Sequence, residues 1–355
     1  MSIRKEISPG CITALVTPFR QDGSIDWSGL EQNIGFQLNQ GVAGELAVGT
    51  SGESPTLFPD EHIEVVGVVS LGVRGRNFVI GGGGSNSTKE ALAYVGEIEK
   101  LCGAALLVDP YYNGPSSLEI RKEYYGVIAE RFPETTIVPY PIPGRTGCLI
   151  SAQDLALLSR RYPNIKAVKE ATGDWDKLIQ SRMSLLRRYA PKDFLIFSGD
   201  DDKTFAMMTD QEIRANGVIS VMSNIAPAAV QRMCQKVLGG YLKEAGNIRV
   251  ALNPLFGLVT VSYPRREKIF HQGEVMDKFR NPLPIKTIMN GLGMPAGPCR
   301  QPLGKMTTGA VETVRGVLRQ VWQENAWVLK PIEDFYGVNI SARLADDKIW
   351  ERLSY

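Results

Sequence analysis

Histidine is nearly absent: the 355 residues hold two, His62 and His271. A zinc site built on several imidazoles is thereby excluded, and a serine–histidine–aspartate triad has few candidates. Proton transfer in such a chain falls to lysine, tyrosine, hydroxyls or carboxylates. Cysteine is scarce as well. Cys11, Cys102, Cys148, Cys234 and Cys299 are odd in number and no Cys-x-x-Cys occurs, a usage that suits free thiols in a reducing compartment. Charge of one sign is lacking too: 40 Lys plus Arg against 38 Asp plus Glu leave a net charge of +2, so no nucleic-acid or membrane-surface partner is expected. Long apolar runs are missing. The longest uncharged stretch, Ala215 to Gln231, contains Asn, Ser and Pro and makes no membrane span. The opening Met-Ser-Ile-Arg-Lys-Glu carries charge where a secretory signal is apolar. These absences make the cytoplasm the expected compartment.

What is present is ordinary globular material, 43% hydrophobic and 22% charged, arranged as an alternation. Short β-rich apolar runs occur at Ile12–Phe19, Gly44–Gly49, Phe78–Gly82, Ala105–Asp109, Thr136–Tyr140, Ile165–Lys169, Phe194–Ser198 and Gly217–Val221. Between them lie helical patterns such as Asp60–Val73, Thr88–Leu101 and Ser151–Arg161, with Pro59-Asp60 and Ser151 as start signals. Continuous apolar strands with intervening helices predict a parallel sheet covered on both faces, and eight such units close into an α/β (β/α)8 TIM barrel. An open doubly wound sheet lacks its fingerprint, because Arg20-Gln21-Asp22-Gly23 replaces the Gly-x-Gly-x-x-Gly turn. The expected division is a catalytic barrel over 1–225, a helical region over 226–327 and an extra tail over 328–355. Pro227–Leu238, Ile248–Val261, Pro284–Leu292 and Thr308–Trp322 read as the helices of that region.

Barrel enzymes build their sites at the C-terminal ends of the strands. Here those ends read Gly49-Thr50-Ser51-Gly52-Glu53, Asp109-Pro110-Tyr111-Tyr112-Asn113, Tyr140-Pro141-Ile142-Pro143-Gly144-Arg145-Thr146, Lys169-Glu170 and Ser198-Gly199-Asp200-Asp201-Asp202. Along Ile165–Lys169, strand alternation puts Ile165, Ala167 and Lys169 on one face and Lys166 and Val168 on the other. If the Ile165 face lines the barrel, Lys169 is desolvated, its pKa falls, and its neutral amine can attack a carbonyl to form a Schiff base. The bland alternative is a strand-end lysine reaching to solvent. Tyr140 and Tyr112 can serve as acid–base groups or as amphipathic core residues. Thr50 and Ser51 can hold a carboxylate or cap a turn; Arg145 can clamp a carboxylate or pair on the surface. Two motifs are decoys. Gly49-Thr50-Ser51-Gly52-Glu53 lacks the last glycine of a nucleophile elbow, and Gly81-Gly82-Gly83-Gly84-Ser85 has no Gly-Lys-Ser/Thr and is explained by close backbone packing.

Taken together and in order, Gly49–Glu53, Tyr111-Tyr112-Asn113, Tyr140 with Pro143-Gly144-Arg145-Thr146-Gly147, and Lys169-Glu170-Ala171-Thr172-Gly173-Asp174 resemble the dihydrodipicolinate synthase / N-acetylneuraminate lyase family from about Gly10 to Leu318. The resemblance implies a (β/α)8 barrel followed by helices, with Lys169 forming the Schiff base with pyruvate and no metal or organic cofactor required. It implies Tyr140 as general acid/base, and a hydroxyl relay of Thr50 with Tyr112, the latter reaching in from an adjacent subunit of a homo-oligomer, a dimer of dimers. Ser51 then holds the pyruvate carboxylate and Ile219 lines the pocket through its backbone. The Pro-Gly-Arg-Thr-Gly loop is similar to the synthase subgroup, in which the arginine binds aspartate semialdehyde. That implies condensation of pyruvate with L-aspartate-4-semialdehyde to 4-hydroxy-tetrahydrodipicolinate, on the route to lysine through diaminopimelate. The rivals are another pyruvate-dependent class I aldolase acting on sugar acids or hydroxy-keto acids, and a non-catalytic ligand-binding barrel.

The chain departs from the family pattern at Ser51, which replaces a threonine, at Pro141, which replaces an asparagine, and in its length beyond about Asn325. Ser54, His62, Asn86, Glu90 and Tyr111 match family positions that bind lysine as an allosteric inhibitor at a subunit interface, whereas Pro59 replaces a histidine common in lysine-sensitive members.

Overall fold

The computed structural model describes residues 6–266 and 273–355. Eight short strands of almost purely aliphatic sequence pair in parallel: β1 (Gly10–Ala14), β2 (Gly44–Ala47), β3 (Phe78–Gly82), β4 (Ala104–Val108), β5 (Thr136–Tyr140), β6 (Ala167–Glu170), β7 (Leu195–Ser198) and β8 (Gly217–Ser220). Their order, β5-β4-β3-β2-β1-β8-β7-β6, closes where a parallel bridge joins Ile137 to Ile165. Helices follow each strand: α1 (Trp27–Gln40), α2 (Pro59–Val73), α3 (Thr88–Leu101), α4 (Gly126–Arg131), α5 (Ala152–Arg161), α6 (Gln180–Tyr189), α7 (Thr204–Thr209) and α8 (Pro227–Leu238). The result is the (β/α)8 barrel expected from the alternation.

The period-two rule sorts the side chains into two cores. Ile12, Leu46, Ile80, Leu106, Val138, Ala167, Phe197 and Ile219 fill the barrel interior. Cys11, Ala47, Val79, Ala105, Ile137, Val168, Ile196 and Val218, their chain neighbours, pack outward against the helices. Ile165 is a correction: it stands before β6 and joins the outer core, so the interior face of this strand starts at Ala167. The glycine run after β3 serves close packing, since a Cβ at Gly82 would lie 2.1 Å from the Val48 carbonyl oxygen and one at Gly84 would lie 2.4 Å from Val108 N. Start signals behave as read: Ser151 Oγ accepts from Asp154 N at 3.0 Å, and the Glu61 carboxylate accepts from Phe58 N at 3.0 Å.

Past the barrel the chain is not uniformly helical. Helix α9 (Leu242–Phe256) ends earlier than the expected Val261, and an antiparallel hairpin follows, β9 (Thr260–Arg265) with β10 (Val275–Arg280). The run Thr260-Val261-Ser262-Tyr263 alternates polar and apolar, and period two overrides the helical reading there. The chain then returns to helices α10 (Leu283–Leu292), α11 (Thr308–Asn325), α12 (Lys330–Tyr336), α13 (Ile340–Ala345) and α14 (Asp347–Glu351). The tail packs on its own chain. Trp350 is fully buried against Gly291 of α10, Tyr336 donates to Asn33 Oδ1 at 2.9 Å, and Phe335 and Tyr336 ring-pack on Phe36 of α1. No helix among the described residues is long and apolar enough to cross a membrane.

Candidate active site

A cavity of about 550 Å³ opens at the C-terminal ends of the strands, and Thr50, Ser51, Tyr140, Arg145 and Lys169 all line it. Lys169 is on β6, with Ala167 two residues earlier turned into the barrel interior, so the same alternation aims the amine inward. It is 3% exposed. Burial lowers its pKa to about 8, while the nearby Asp200 and Asp201 carboxylates work the other way. Its Nζ lies 4.2 Å from the centre of the Tyr140 ring. A buried lysine next to a ring, with its pKa near the working range, is an amine that can be neutral and nucleophilic.

Tyr140 ends β5 and is buried; burial raises its phenol pKa, and the Arg145 charge and the Thr50 hydroxyl oppose that rise. The phenol therefore keeps its proton until a partner takes it, as an acid–base group must. Ser51 is buried and its Oγ accepts from Asn281 Nδ2 at 3.0 Å. Arg145, in the one-turn helix Pro143–Thr146, donates from Nη2 to the Asn281 carbonyl at 2.9 Å. Burial lowers its pKa, with the Tyr140 side chain opposing and the Arg280 charge adding to the effect. Ile219 belongs to the barrel interior, whereas Val221 lines the cavity.

Asp200 lines the same cavity. Burial raises its pKa to about 6, Asp202 adds to that, the Lys169 charge opposes it, and its Oδ2 is buried without a hydrogen-bond partner. Asp201 is tied down instead: its carboxylate accepts from Ser220 Oγ and, at 3.0 Å each, from Val221 N and Met222 N. The run of three aspartates was visible in the sequence, but nothing in it separates the anchored one from the one facing the amine.

Tyr112 is not brought to this cavity. It is 90% exposed with φ +80°, a strained conformation for a bulky residue, and it lines neither this cavity nor the smaller one beside it. Its neighbour Tyr111 does: with Ser54 it lines that smaller cavity, of about 240 Å³, which shares Thr50, Tyr140 and Arg145 with the larger one. His62 is buried, donates to the Gly82 carbonyl at 2.6 Å and stacks on Tyr94; burial lowers its pKa. Glu90 accepts from Ser85 Oγ, whose other neighbour is Asn86, and the Glu90 charge acts on His62, Tyr94 and Tyr111. Four of the five singled-out residues thus surround the start of α3. Among the described residues no group of three or more His, Cys, Asp or Glu can hold a metal.

An inward-facing, desolvated lysine at the mouth of a (β/α)8 barrel, in a cavity lined by hydroxyls and arginines, defines a barrel protein equipped for amine-nucleophile chemistry on carbonyl compounds. The chain belongs to the dihydrodipicolinate synthetase family, whose model matches residues 8–321. A 4-hydroxy-tetrahydrodipicolinate synthase of Thermotoga neapolitana is 34% identical, over 88% of this chain and 98% of the relative. Among solved structures, the 4-hydroxy-tetrahydrodipicolinate synthase of Methylacidiphilum fumariolicum SolV superposes with a TM-score of 0.79 at 33% identity, over 91% of this chain and 99% of that one. The dihydrodipicolinate synthase of Cyanidioschyzon merolae with lysine bound gives 0.78 at 33% identity, over 89% and 99% of the two chains.

Proposed function

We propose that this protein condenses pyruvate with L-aspartate-4-semialdehyde to 4-hydroxy-tetrahydrodipicolinate through an imine on Lys169. The observation that carries the reading is the buried Lys169 amine, its pKa brought to about 8, beside the Tyr140 ring in a chain of this family. The neutral amine attacks C2 of pyruvate, and the carbinolamine loses water to give the imine. Loss of a C3 proton gives the enamine, whose C3 bonds to the aldehyde carbon while the aldehyde oxygen takes a proton. The amino group of the second substrate then attacks the imine carbon, closing the ring and returning the Lys169 amine. The protonated imine is itself the electron sink, so the chemistry needs no metal or organic cofactor.

Tyr140 moves the protons, relayed through the Thr50 hydroxyl and Tyr112 of a neighbouring copy. Ser51, oriented by Asn281, takes the pyruvate carboxylate, the backbone at Ile219 completes that pocket, and Arg145 takes the carboxylate of the aldehyde. The exposed, strained Tyr112 supports a homo-oligomer, a dimer of dimers in which tyrosines are exchanged between cavities. The five free thiols fit a reducing cytoplasm. L-Lysine, the distant product, binds at Ser54, His62, Asn86, Glu90 and Tyr111.

Borohydride reduction in the presence of pyruvate, followed by mass spectrometry of the Lys169 peptide, tests the reading. A pyruvyl adduct on Lys169, absent in Lys169→Arg, is expected. No adduct on folded protein rejects the enzyme in favour of a ligand-binding barrel. An adduct with turnover of sugar acids, and none of the semialdehyde, moves the assignment to another aldolase.

A further inference from the structure

The hairpin that the helical pattern hid is part of the cavity wall. Thr260 of β9 and Lys278 and Arg280 of β10 line the same space as Lys169. Lys278 and Arg280, two residues apart on one strand, share a face, and the ladder pairs Thr260 with Arg280 at its base.

Arg280 and Arg145 are locked together reciprocally. Arg145 Nη2 donates to the carbonyl of Asn281, the residue after Arg280, at 2.9 Å. Arg280 Nη1 donates to the carbonyl of Gly144, the residue before Arg145, at 3.0 Å. Each guanidinium is therefore positioned by the backbone that carries the other. Carbonyls orient a cation without neutralising it, and among the described residues neither arginine has an ion-pair partner. The charge of Arg280 depresses the pKa of Arg145, the sign of repulsion between like charges held close. Two cations fixed by carbonyls at one cavity, neither in ion-pair contact with a carboxylate among the described residues, form a site that a ligand carboxylate completes. A carboxylate has about four lone-pair positions, more than one guanidinium fork fills. Asp200, whose buried Oδ2 has no hydrogen-bond partner, lines the same cavity and its charge acts on Arg145.

We propose that Arg280 is a specificity-determining residue: with Arg145 it forms a two-guanidinium clamp for the carboxylate of the second substrate. This rests on the reading that the second substrate is a carboxylate-bearing aldehyde. The hairpin thereby selects aldehydes that carry a carboxylate over neutral ones, and it leaves pyruvate, held on the Ser51 side, untouched.

Steady-state kinetics of Arg280→Ala test this. KM for aspartate semialdehyde rises about tenfold or more, the order of a lost charge-assisted hydrogen bond. KM for pyruvate and the rate of borohydride trapping stay within about twofold, and the slow turnover of propanal is unchanged; Arg280→Lys recovers part of the loss. An unchanged aldehyde KM overturns the clamp. Equal losses for semialdehyde, propanal and pyruvate trapping also overturn it, since they mean that Arg280 only props the Arg145 loop. Calorimetry with L-homoserine, the unreactive alcohol of the same skeleton, separates the two readings. If wild type traps no pyruvate yet Arg280→Ala weakens homoserine about tenfold, the clamp stands and the reaction falls. If pyruvate is trapped and homoserine binds both proteins equally, the clamp falls and the reaction stands.

Discussion

Lys286 Nζ lies 2.6 Å from Glu53 Oε1, and both side chains are about 1% exposed. Glu53 closes the turn that carries Thr50 and Ser51, in a left-handed conformation at φ +57°, and its second oxygen accepts from Arg300 N at 2.9 Å. Lys286, on α10, also donates to the carbonyls of Thr17 and Pro298 at 3.1 and 2.8 Å. The helical region thus reaches into the barrel and pins the hydroxyl turn of the active site by a buried ion pair. Removing one partner leaves the other buried without its ion-pair partner. Lys286→Met is expected to cost about 3–5 kcal/mol in urea unfolding, and Glu53→Gln added to Lys286→Met recovers much of it. Equal midpoints for wild type and Lys286→Met would show that the pair holds nothing in place.

The amine of Lys169 sets a pH profile. Its pKa is lowered from 10.5 to about 8, so it binds fewer protons than the unfolded chain across that window, and its contribution to stability rises with pH there. For chemistry the sign is the same: only the neutral amine attacks pyruvate. The rate of borohydride-trapped adduct should climb about tenfold per pH unit below pH 8 and level off above it. Asp200→Asn removes a carboxylate that favours the charged amine, so the midpoint should move down. A midpoint near 10.5, or one indifferent to Asp200→Asn, rejects Lys169 as the titrating nucleophile.

The barrel was legible because parallel strands buried on both faces are apolar without interruption, and the inward aim of Lys169 followed from parity with Ala167. Ile165 misled because it lies before the regular strand. The hairpin was lost among helices: Val259, Thr260 and Val261 signal a strand, but they follow directly on α9. Asp200, Asn281, Arg280 and Glu53 carried no individual signal, because their roles depend on partners more than 30 residues away along the chain, such as Ser51 for Asn281 and Lys286 for Glu53. His271, one of the two histidines, lies outside the described residues.

Under the proposed reaction, Arg145 is the residue that distinguishes the two substrates. Its guanidinium is fixed through Asn281, while Ser51, which lines the same cavity as Lys169, is buried. Arg145→Ala should raise the KM for aspartate semialdehyde about ten- to hundredfold, the range for hydrogen bonds to charged groups, and spare the trapping of pyruvate on Lys169. Equal loss of both would falsify the assignment of Arg145 to the aldehyde.

The proposed lysine site has chemistry that suits its ligand. A cationic ammonium needs an anion, and the Glu90 carboxylate stands at the first turn of α3, where it accepts from Ser85 Oγ and acts on His62 and on Tyr111. Ser54 and Tyr111 line the small cavity that abuts Thr50, Tyr140 and Arg145, so a ligand bound there lies one residue layer from the proton relay. Inhibition by L-lysine is therefore expected at or below millimolar concentration, and Glu90→Ala should abolish it with basal turnover kept within about twofold, because Glu90 lines neither cavity. Pro59, which starts α2 where lysine-sensitive relatives commonly have histidine, provides the counter-argument, since it removes one polar partner from the same surface. A rate that stays flat up to several millimolar L-lysine means that this loss decides, and that Ser54, His62, Asn86, Glu90 and Tyr111 are structural groups of α2, α3 and the loops beside them.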